Sequence, residues 1–424
     1  MRRGITATAL AATLALAATA CGSDGDSDSG KSSGGELSGT VTWWDTSTVG
    51  SEDKVFKQLA EGFEKKHPKV DVTYVNVPFG DAQNKFKNAA QSGSGAPDVI
   101  RSEVAWTPEF ADLGYLAPLD GTPALKDEKD FLAQAAASTK YGDKTYAVPQ
   151  VIDSMGIFYN KKIFKDAGVE VPKTVDELKT VSKTIKDKTG KTGLYLRGDD
   201  AYWFLSFLYG EGGNLVDAAN KTVTVDNPAG VKAMTVVKDL VDSGAAKTDA
   251  TDGWENMQSA FKDGDVAMMI NGPWAVTDTY GGAQFKDKAN LGIAPVPAGS
   301  VGQGSPQGGH NLAVYAGSKN LDASYAFTEY MTSAESQAKV AEELSLLPTR
   351  TSVYARPGVA GNEIVGFFKP VVDKAVERPW IPETGSLFAP LVTEYTKVLT
   401  GQTDPAKGAK DTGDAYRKLL KGWK

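Results

Sequence analysis

The stretch of sequence with the clearest chemical potential is residues 266–274, where a tryptophan directly follows an apolar run. Residues 266–270 are almost continuously apolar, which is typical of a strand buried on both faces of a parallel sheet. Residues 271–272 predict a tight turn, and Pro273 suits the first position of a helix because its missing N–H would be unpaired there anyway. Ligands of open α/β sheets bind at the carboxyl ends of strands. Trp274 is therefore a candidate platform for a flat ligand face, and the alternative is a tryptophan of the core.

The elements that would position Trp274 alternate between strands and helices. Residues 40–44, 70–74 and 99–100 are predicted strands, and amphipathic helices are predicted between them at 51–66 and 81–91. This order predicts a parallel α/β arrangement. Further predicted elements are strands at 142–149 and 155–160, an aromatic helix at 202–209, helices that begin at Thr174 and Asn227, and helices in the C-terminal region.

The N-terminus has the composition of a bacterial lipoprotein signal peptide over residues 1–20. Arg2 and Arg3 precede an apolar run that has the length of a signal-peptide core and is too short for a comfortable membrane span. The small residues before Cys21 are similar to a lipoprotein cleavage box, which predicts that Cys21 becomes the acylated first residue of the mature chain. The alternative is an ordinary signal peptide followed by a free thiol. Cys21 is the single cysteine, so no internal disulfide is expected.

The composition of the rest of the chain predicts a flexible tether followed by a globular region. Residues 22–36 contain only Gly, Ser, Asp, Glu and Lys, which predicts a flexible tether with an average reach of about 20 Å. The remainder of the 424 residues is long enough for two or more domains, and a hydrophobic content of 41% with 23% charged residues is typical of a soluble globular protein. The formal net charge of −7 argues against nucleic acid as a partner.

Five motifs occur in a fixed order along the mature chain, at residues 95–99, 147–150, 157–161, 172–178 and 261–274. Together they resemble the extracellular solute-binding proteins of bacterial ABC sugar importers, in particular maltose- and maltodextrin-binding lipoproteins. The resemblance implies a type II periplasmic-binding-protein-like fold, in which two discontinuous α/β lobes are joined by a hinge of three crossings. The implied lobes are an N-lobe of residues 37–151 plus 313–350 and a C-lobe of 152–312 plus 351–424, with crossings near 151–155, 309–314 and 348–352.

The same resemblance implies a function without a cofactor. The protein would be a monomeric, lipid-anchored component of an ABC sugar importer at the extracellular face of the bacterial cytoplasmic membrane. It would bind maltose or a maltodextrin in the cleft between the lobes and deliver the sugar to the transmembrane subunits of the permease. Binders of trehalose, cyclodextrin and cello-oligosaccharides share this scaffold, so another oligosaccharide is the alternative ligand.

A sugar ring has an apolar face of C–H groups and an edge of hydroxyls, so its binding needs aromatic plates and polar partners. The resemblance implies that Trp274, Tyr202 with Trp203, and Phe388 are aromatic platforms. It also implies that Asp153 is an acidic residue near the hinge that contacts sugar hydroxyls. The alternative for each aromatic side chain is packing within the core or a helix.

The N-lobe departs from the family pattern, because residues 102–106 replace the usual Trp-x-x-Asp-Arg sequence. Other side chains would then have to supply the contacts of this lobe. The candidates are Asp45, Arg101, Glu103, Trp106 and Arg350. The alternative for the charged candidates is a surface ion pair.

The sequence predicts a binding protein and not an enzyme. Its two histidines, His67 and His310, are far apart along the chain and indicate neither a metal site nor a catalytic triad. Residues 185–192 and 302–307 lack the glycines of phosphate-binding and dinucleotide-binding loops. Acidic residues are abundant enough to supply paired carboxylates for glycoside hydrolysis, so a secreted glycosidase is the rival hypothesis. A structural cell-surface lipoprotein is the third.

Overall fold

Two β-sheets organise the part of the protein that the computed structural model describes, residues 36–424. The predicted signal peptide at 1–20, the predicted lipid attachment at Cys21 and the predicted tether up to residue 35 lie outside the described residues. Residues 37–424 form one compact unit. None of the helices found between residues 36 and 424 combines the length and the apolar character that a membrane span requires.

The chain contributes fifteen strands and sixteen α-helices within residues 36–424. The strands are β1 (Gly39–Asp45), β2 (Val70–Asn76), β3 (Val99–Glu103), β4 (Lys140–Tyr141), β5 (Lys144–Thr145), β6 (Ala147–Asp153), β7 (Gly156–Asn160), β8 (Thr192–Tyr195), β9 (Val216–Asp217), β10 (Thr222–Val223), β11 (Ala246–Lys247), β12 (Val266–Asn271), β13 (Leu291–Pro295), β14 (Gly308–Val314) and β15 (Leu347–Pro348). The helices are α1 (Glu52–Lys66), α2 (Phe79–Ser92), α3 (Trp106–Asp112), α4 (Ala133–Ala137), α5 (Lys161–Ala167), α6 (Val175–Thr189), α7 (Leu205–Gly210), α8 (Pro228–Asp242), α9 (Gly253–Asp263), α10 (Val276–Tyr280), α11 (Leu321–Met331), α12 (Ala334–Leu344), α13 (Pro357–Ala360), α14 (Glu363–Val372), α15 (Thr384–Leu399) and α16 (Pro405–Leu419). Short 3-10 turns lie at Pro123–Leu125, Glu128–Asp130, Pro273–Ala275, Ala283–Phe285, Lys288–Asn290 and Thr351–Ala355.

The sheet of the first lobe has six strands in the order β15-β6-β14-β3-β1-β2. β1 pairs in parallel with β2 and β3, whereas β14 is antiparallel to both β3 and β6. Side chains alternate along β1, so Trp43 packs into one apolar cluster and Trp44 into a second cluster on the opposite face. Both faces are therefore covered, as the predicted parallel α/β arrangement requires.

The sheet of the second lobe has five strands in the order β11-β8-β12-β7-β13. All residues of β12 are buried, which confirms the strand predicted at 266–270. The sheet is mixed and not purely parallel, because β12 is parallel to β8 but antiparallel to β7. Burial on both faces produced the apolar run, and that pattern carries no information about strand direction.

The chain passes between the two sheets after β6, after β13 and after β15. Ser305 reinforces the first two passages, because its hydroxyl accepts the Met155 N–H and lies 2.7 Å from the Ser154 hydroxyl. The lobe boundaries stay a prediction. Two predicted elements need correction: β6 continues to Asp153 because it pairs with β14 over its length, and α7 begins at Leu205, after a turn over residues 201–204.

Candidate functional site

Trp274 lies at the junction of the two lobes. It follows β12 in the 3-10 turn Pro273–Ala275, and its half-buried ring packs against apolar clusters of both lobes. A Cβ atom at Gly272 would lie 2.0 Å from the indole, so this position needs glycine for the ring to approach the backbone. Asn271 fixes the turn because its side-chain oxygen accepts the Gly272 N–H at 3.0 Å and its amide donates to Gln258 Oε1 at 3.0 Å.

Tyr202 and Trp203 precede α7 and have different environments. Trp203 is 5% exposed, its indole N–H donates to the Ile270 carbonyl at 2.6 Å, and the Arg197 guanidinium lies 4.4 Å from its ring centre. Trp203 is thus held within the second lobe. Tyr202 is half-buried, its ring lies 5.9 Å edge-on to Trp203, and its backbone N–H donates to Asp200 Oδ1 at 2.9 Å.

Asp153 ends β6 and lies opposite Gly308 of β14. A Cβ atom at Gly308 would lie 2.2 Å from Asp153 Oδ1 and 2.5 Å from the Tyr202 hydroxyl, so glycine allows these two groups to come together. Asp153 is 7% exposed, and the described residues supply no hydrogen bond to its carboxyl group. Burial, and next the Glu103 carboxylate, raise the pKa of Asp153 to about 7, although Arg378 and Arg101 oppose the shift.

Arg378 is the central residue that sequence reasoning missed. It lies in the irregular segment between α14 and α15, is 4% exposed, and donates from Nε to the Gln307 carbonyl at 2.9 Å. Its Nη2 donates to Glu103 Oε1 at the end of β3, and Glu103 Oε2 accepts the Ala105 N–H at 3.0 Å. The guanidinium therefore joins the segment between α14 and α15 to the end of β3. Burial lowers the pKa of Arg378, but Glu103, Tyr202 and Tyr209 together outweigh this effect and the net shift is upward.

Unpartnered polar atoms surround this guanidinium. The ring centres of Tyr202 and Trp380 lie 5.4 Å and 5.9 Å from Arg378 Cζ. Within residues 36–424, neither ring nitrogen of His310 nor the buried indole N–H of Trp380 has a hydrogen-bond partner. Burial, together with Arg101 and Arg378, lowers the pKa of His310 well below its ordinary value, so its imidazole is neutral. Unsatisfied buried polar groups of this kind are uncommon and suit a hydrogen-bonding ligand.

We call this group of side chains the hinge cluster. It consists of Glu103, Asp153, Tyr202, His310, Arg378 and Trp380. The register of β14 on β6 shifts between His310 and Asn311. Such irregularities re-aim side chains, and this one falls beside the hinge. A feature that could have revealed the missed members is the Arg378-Pro379-Trp380 sequence, which joins a cation and an indole in a segment without helical or strand periodicity.

Asp45 and Arg101 are tied to residues of their own lobe. Asp45 is fully buried, accepts a hydrogen bond from the Tyr74 hydroxyl at 2.8 Å and lies 3.9 Å from Arg101 Nε. Arg101 is 2% exposed and donates from Nε to Gln150 Oε1 at 2.8 Å. These contacts support the end of the sheet on which Glu103 lies.

Trp106 begins α3 and is buried, but the aromatic face beside it is accessible. Phe79 stacks on Trp106 with ring centres 5.3 Å apart and an interplanar angle of 29°. Phe79 is 49% exposed and lies 6.0 Å edge-on to His310. Phe79 is at the first position of α2, and no sequence pattern marks it as part of a site.

The structure does not bring Arg350 to the hinge cluster. Its guanidinium donates to the carbonyls of Thr332, Asp127 and Lys126 at 2.7, 2.9 and 3.1 Å. It also lies 4.0 Å from the ring centre of Phe131. The donors of the guanidinium are therefore satisfied by residues of the first lobe, which points to a structural role for Arg350.

Phe388 lies on α15, half-buried against the core of the second lobe. The same helix approaches the first lobe, because a Cβ atom at Gly385 would lie 2.5 Å from the amide nitrogen of Gln83 on α2. No group of three or more His, Cys, Asp or Glu side chains suited to a metal ion occurs in the described part of the chain.

Comparison with known proteins gives a consistent result. The family model described as bacterial extracellular solute-binding protein matches residues 46–338. The chain is 68% identical to the GacH receptor of Streptomyces glaucescens, with a TM-score of 0.90 over 92% of this chain and 100% of that one. The GacH receptor has been solved without ligand and in complex with acarbose and an acarbose homolog.

Several relatives match almost end to end. The diacetylchitobiose binding protein DasA of Streptomyces coelicolor is 30% identical over 99% of both chains. The maltooligosaccharide ABC transporter solute-binding lipoprotein of Streptococcus pneumoniae strain R6 is 25% identical over 98% of this chain and 97% of its own. The family resemblance and the two-lobed α/β fold predicted from the sequence are thereby confirmed. The chain belongs to the family of bacterial extracellular solute-binding proteins.

Proposed function

We propose that this protein captures maltodextrin-type oligosaccharides, including acarbose-like analogues, between its two lobes and delivers them unchanged to an ABC permease. The observation that carries the proposal is the hinge cluster, where the unpartnered His310 of the first sheet and the unpartnered Trp380 of the segment before α15 lie beside the ion pair of Arg378 and Glu103. A binding site needs such groups on both lobes if closure is to depend on the ligand.

The chemistry of the cluster suits a sugar. Each sugar hydroxyl both donates and accepts hydrogen bonds, and the cluster offers acceptors at Asp153 and His310 and a donor at Trp380. Bonds to charged groups are the stronger ones, which favours the carboxyl group and the guanidinium as partners. Trp274 and Tyr202 would supply flat apolar faces for the C–H side of the ring.

The names of two relatives support α-linked glucose oligosaccharides and acarbose-like analogues as the ligand class. The GacH receptor, at 68% identity, has been solved with acarbose, and the pneumococcal relative is named for maltooligosaccharides. Acarbose ends in a maltose unit, so one cleft can accept both ligands. The name of DasA makes diacetylchitobiose the competing ligand. Trehalose, cyclodextrin and cello-oligosaccharides remain alternatives that share the scaffold.

Calorimetric titration of the purified protein with a panel of saccharides tests this proposal. We expect maltotetraose and acarbose to bind, and cellotetraose, diacetylchitobiose and trehalose to bind at least about tenfold more weakly, a difference of about 1.4 kcal/mol. Chromatography after incubation should recover every saccharide intact, which separates a binding protein from a glycosidase. Preference for diacetylchitobiose or cellotetraose would overturn the ligand class, and hydrolysis would overturn the binding role.

Delivery to a permease requires a closed form that the membrane subunits distinguish from the open one. The sugar would bind the open form, and polar groups of the first lobe would complete the site on closure. Small-angle X-ray scattering should therefore show a smaller radius of gyration when maltotetraose is added. An unchanged radius in saturating sugar would contradict closure.

We also propose a lipid anchor at Cys21, which lies outside the described residues, and attachment to the extracellular face of the cytoplasmic membrane. The basis is the sequence before Cys21 and the lipoprotein name of the pneumococcal relative. A diacylglyceryl group supplies two chains, which is enough for stable attachment. Cys21→Ser should move the protein from the membrane fraction to the soluble fraction, and retention in the membrane fraction would contradict the anchor.

A further inference from the structure

The carboxyl group of Asp153 is buried without a committed partner. It is 7% exposed, and no hydrogen bond or ion pair from within residues 36–424 reaches it. Charged or titratable groups face it from several elements of the hinge. These groups are Arg101 and Glu103 on β3, Glu52 on α1, Tyr202 before α7, and Arg378 before α15, and the neutral His310 lies two residues along β14 from the Gly308 that pairs with Asp153.

Both nearby cations are already engaged. Arg378 pairs with Glu103 and donates to the Gln307 carbonyl. Arg101 donates to Gln150 and lies 3.9 Å from the Asp45 carboxylate. Asp153 therefore gains only long-range attraction from these two guanidinium groups, which agrees with a pKa that burial and Glu103 raise to about 7.

An ionised carboxylate is costly to bury alone, and a cation that approaches it removes much of that cost. A neutral sugar hydroxyl offers a hydrogen bond but no charge. A basic nitrogen in the ligand offers both, because an ammonium group next to the carboxylate is an ion pair in a site shielded from water. The Tyr202 hydroxyl and the Asp153 carboxyl group both lie close to Gly308, so a polar oxygen is adjacent to the carboxyl group, while the Tyr202 ring already contacts Arg378.

We propose that Asp153 gives this cleft a preference for oligosaccharides in which a basic nitrogen replaces a glycosidic oxygen. The inference rests on the proposed function, since it names a ligand class for the same site. On binding, the proton of the Asp153 carboxyl group passes to the amine nitrogen, so the complex holds one ammonium and one carboxylate. When Asp153 is already ionised, solvent supplies that proton. No bond other than the O–H and N–H bonds changes.

Two ligands of equal length test the proposal. Acarbose has a secondary amine between two of its rings, and maltotetraose has oxygen at every link. Calorimetry gives the ratio of the two dissociation constants for the wild type and for Asp153→Asn, which keeps the shape of the side chain. We expect the preference for acarbose over maltotetraose to fall at least tenfold in Asp153→Asn. The matched control is Asp226→Asn, which removes a partly buried carboxylate that pairs with Arg417 at 2.8 Å, and it should keep the wild-type ratio.

A second measurement uses only the wild type, in case the variant does not fold. Titration near neutral pH in two buffers of different ionisation enthalpy gives the protons taken up on binding. Acarbose should take up a larger fraction of a proton than maltotetraose. Equal uptake, or an unchanged ratio in a folded Asp153→Asn, overturns the preference while leaving sugar binding intact. If the wild type binds neither ligand, the proposed function itself fails.

Discussion

The guanidinium of Arg378 and the carboxylate of Glu103 form an ion pair that joins the segment before α15 to the end of β3. Their side chains are 3% and 14% exposed, so the pair is largely shielded from water. The two residues are 275 positions apart along the chain. The predicted lobe boundaries place Glu103 in the first lobe and Arg378 in the second, and with these boundaries separation of the lobes would break the pair and expose both charges.

We predict that Arg378→Met and Glu103→Gln favour the open form of the sugar-free protein. Removing one partner of a buried pair leaves the other charge uncompensated, at a cost of about 3–5 kcal/mol. Opening would relieve part of this cost by hydrating the remaining group. The radius of gyration from small-angle X-ray scattering without sugar should therefore increase in both variants.

A matched control for this prediction is Lys87→Met. Lys87 pairs with Glu109 at 2.8 Å, and their side chains are 27% and 13% exposed, but both belong to the first lobe. This variant should keep the wild-type radius. The double variant of Arg378 and Glu103 should be less destabilised than the sum of the single variants, since it leaves no unpaired charge. An unchanged radius in both single variants would show that the pair does not hold the lobes together.

The titration of Asp153 predicts a pH dependence of stability. Burial, then Glu103, raise the pKa of this carboxyl group from 3.8 to about 7 in the folded protein. The folded state thus binds the proton more tightly than the unfolded chain. Its contribution to stability is fully present below about pH 4 and is lost as pH rises toward about 7. The difference corresponds to at most about 4 kcal/mol.

Urea denaturation of the wild type and Asp153→Asn over this pH range measures the effect. The free energy of unfolding of the wild type should fall relative to that of the variant as pH rises. The pKa of Glu52 is also raised by burial, but its titration is common to both proteins. Parallel pH profiles would show that Asp153 does not titrate differently on folding.

The sequence was sufficient to predict the elements whose pattern is local. The apolar run of β12 and the turn that follows it lie within a few residues, so burial and chain reversal leave a readable signal before Trp274. Burial of both sheet faces likewise appears as apolar residues at consecutive positions of β1. These features can be predicted from neighbouring residues alone.

The hinge cluster was only partly predictable because its members meet through the tertiary fold. Arg378 and Trp380 lie in a segment without periodicity, and no local pattern relates them to Glu103. The family resemblance implied that Trp203 is a ligand platform, which stays a prediction, and no local pattern indicated that its N–H is bonded to the Ile270 carbonyl. The type of a side chain is visible in the sequence, but its partners are not.

We predict that Trp274→Ala lowers sugar affinity at least about tenfold while the protein stays folded. The ring is half-buried between the two lobes, so its truncation removes a stacking surface worth a few kcal/mol. Some loss of stability is expected, since the indole also packs on both cores. Trp423→Ala is the control, because Trp423 is a partly buried indole packed on the core of the second lobe. Equal affinities for Trp274→Ala and the wild type would exclude Trp274 as a platform.

We predict that Arg350 contributes to the stability of the protein and not to sugar binding. Its guanidinium supplies charged donors to three backbone carbonyls, at Thr332, Asp127 and Lys126. Arg350→Met would keep much of the apolar volume against Phe131 but leave those carbonyls without their donors. Hydrogen bonds to charged groups contribute about 1.5–3 kcal/mol each and are not additive, so we expect the free energy of unfolding to fall by about 3 kcal/mol or more.

Sugar affinity of Arg350→Met should stay within about twofold of the wild type, because none of these bonds reaches the hinge cluster. Arg356→Met, at a partly exposed arginine of the next turn, is the control and should change neither quantity by much. Denaturation and calorimetry on the same preparations measure both effects. Loss of affinity with unchanged stability would return Arg350 to the binding site. Loss of stability with unchanged affinity would mean that the guanidinium of Arg350 is buried in order to donate hydrogen bonds to three carbonyls of the first lobe.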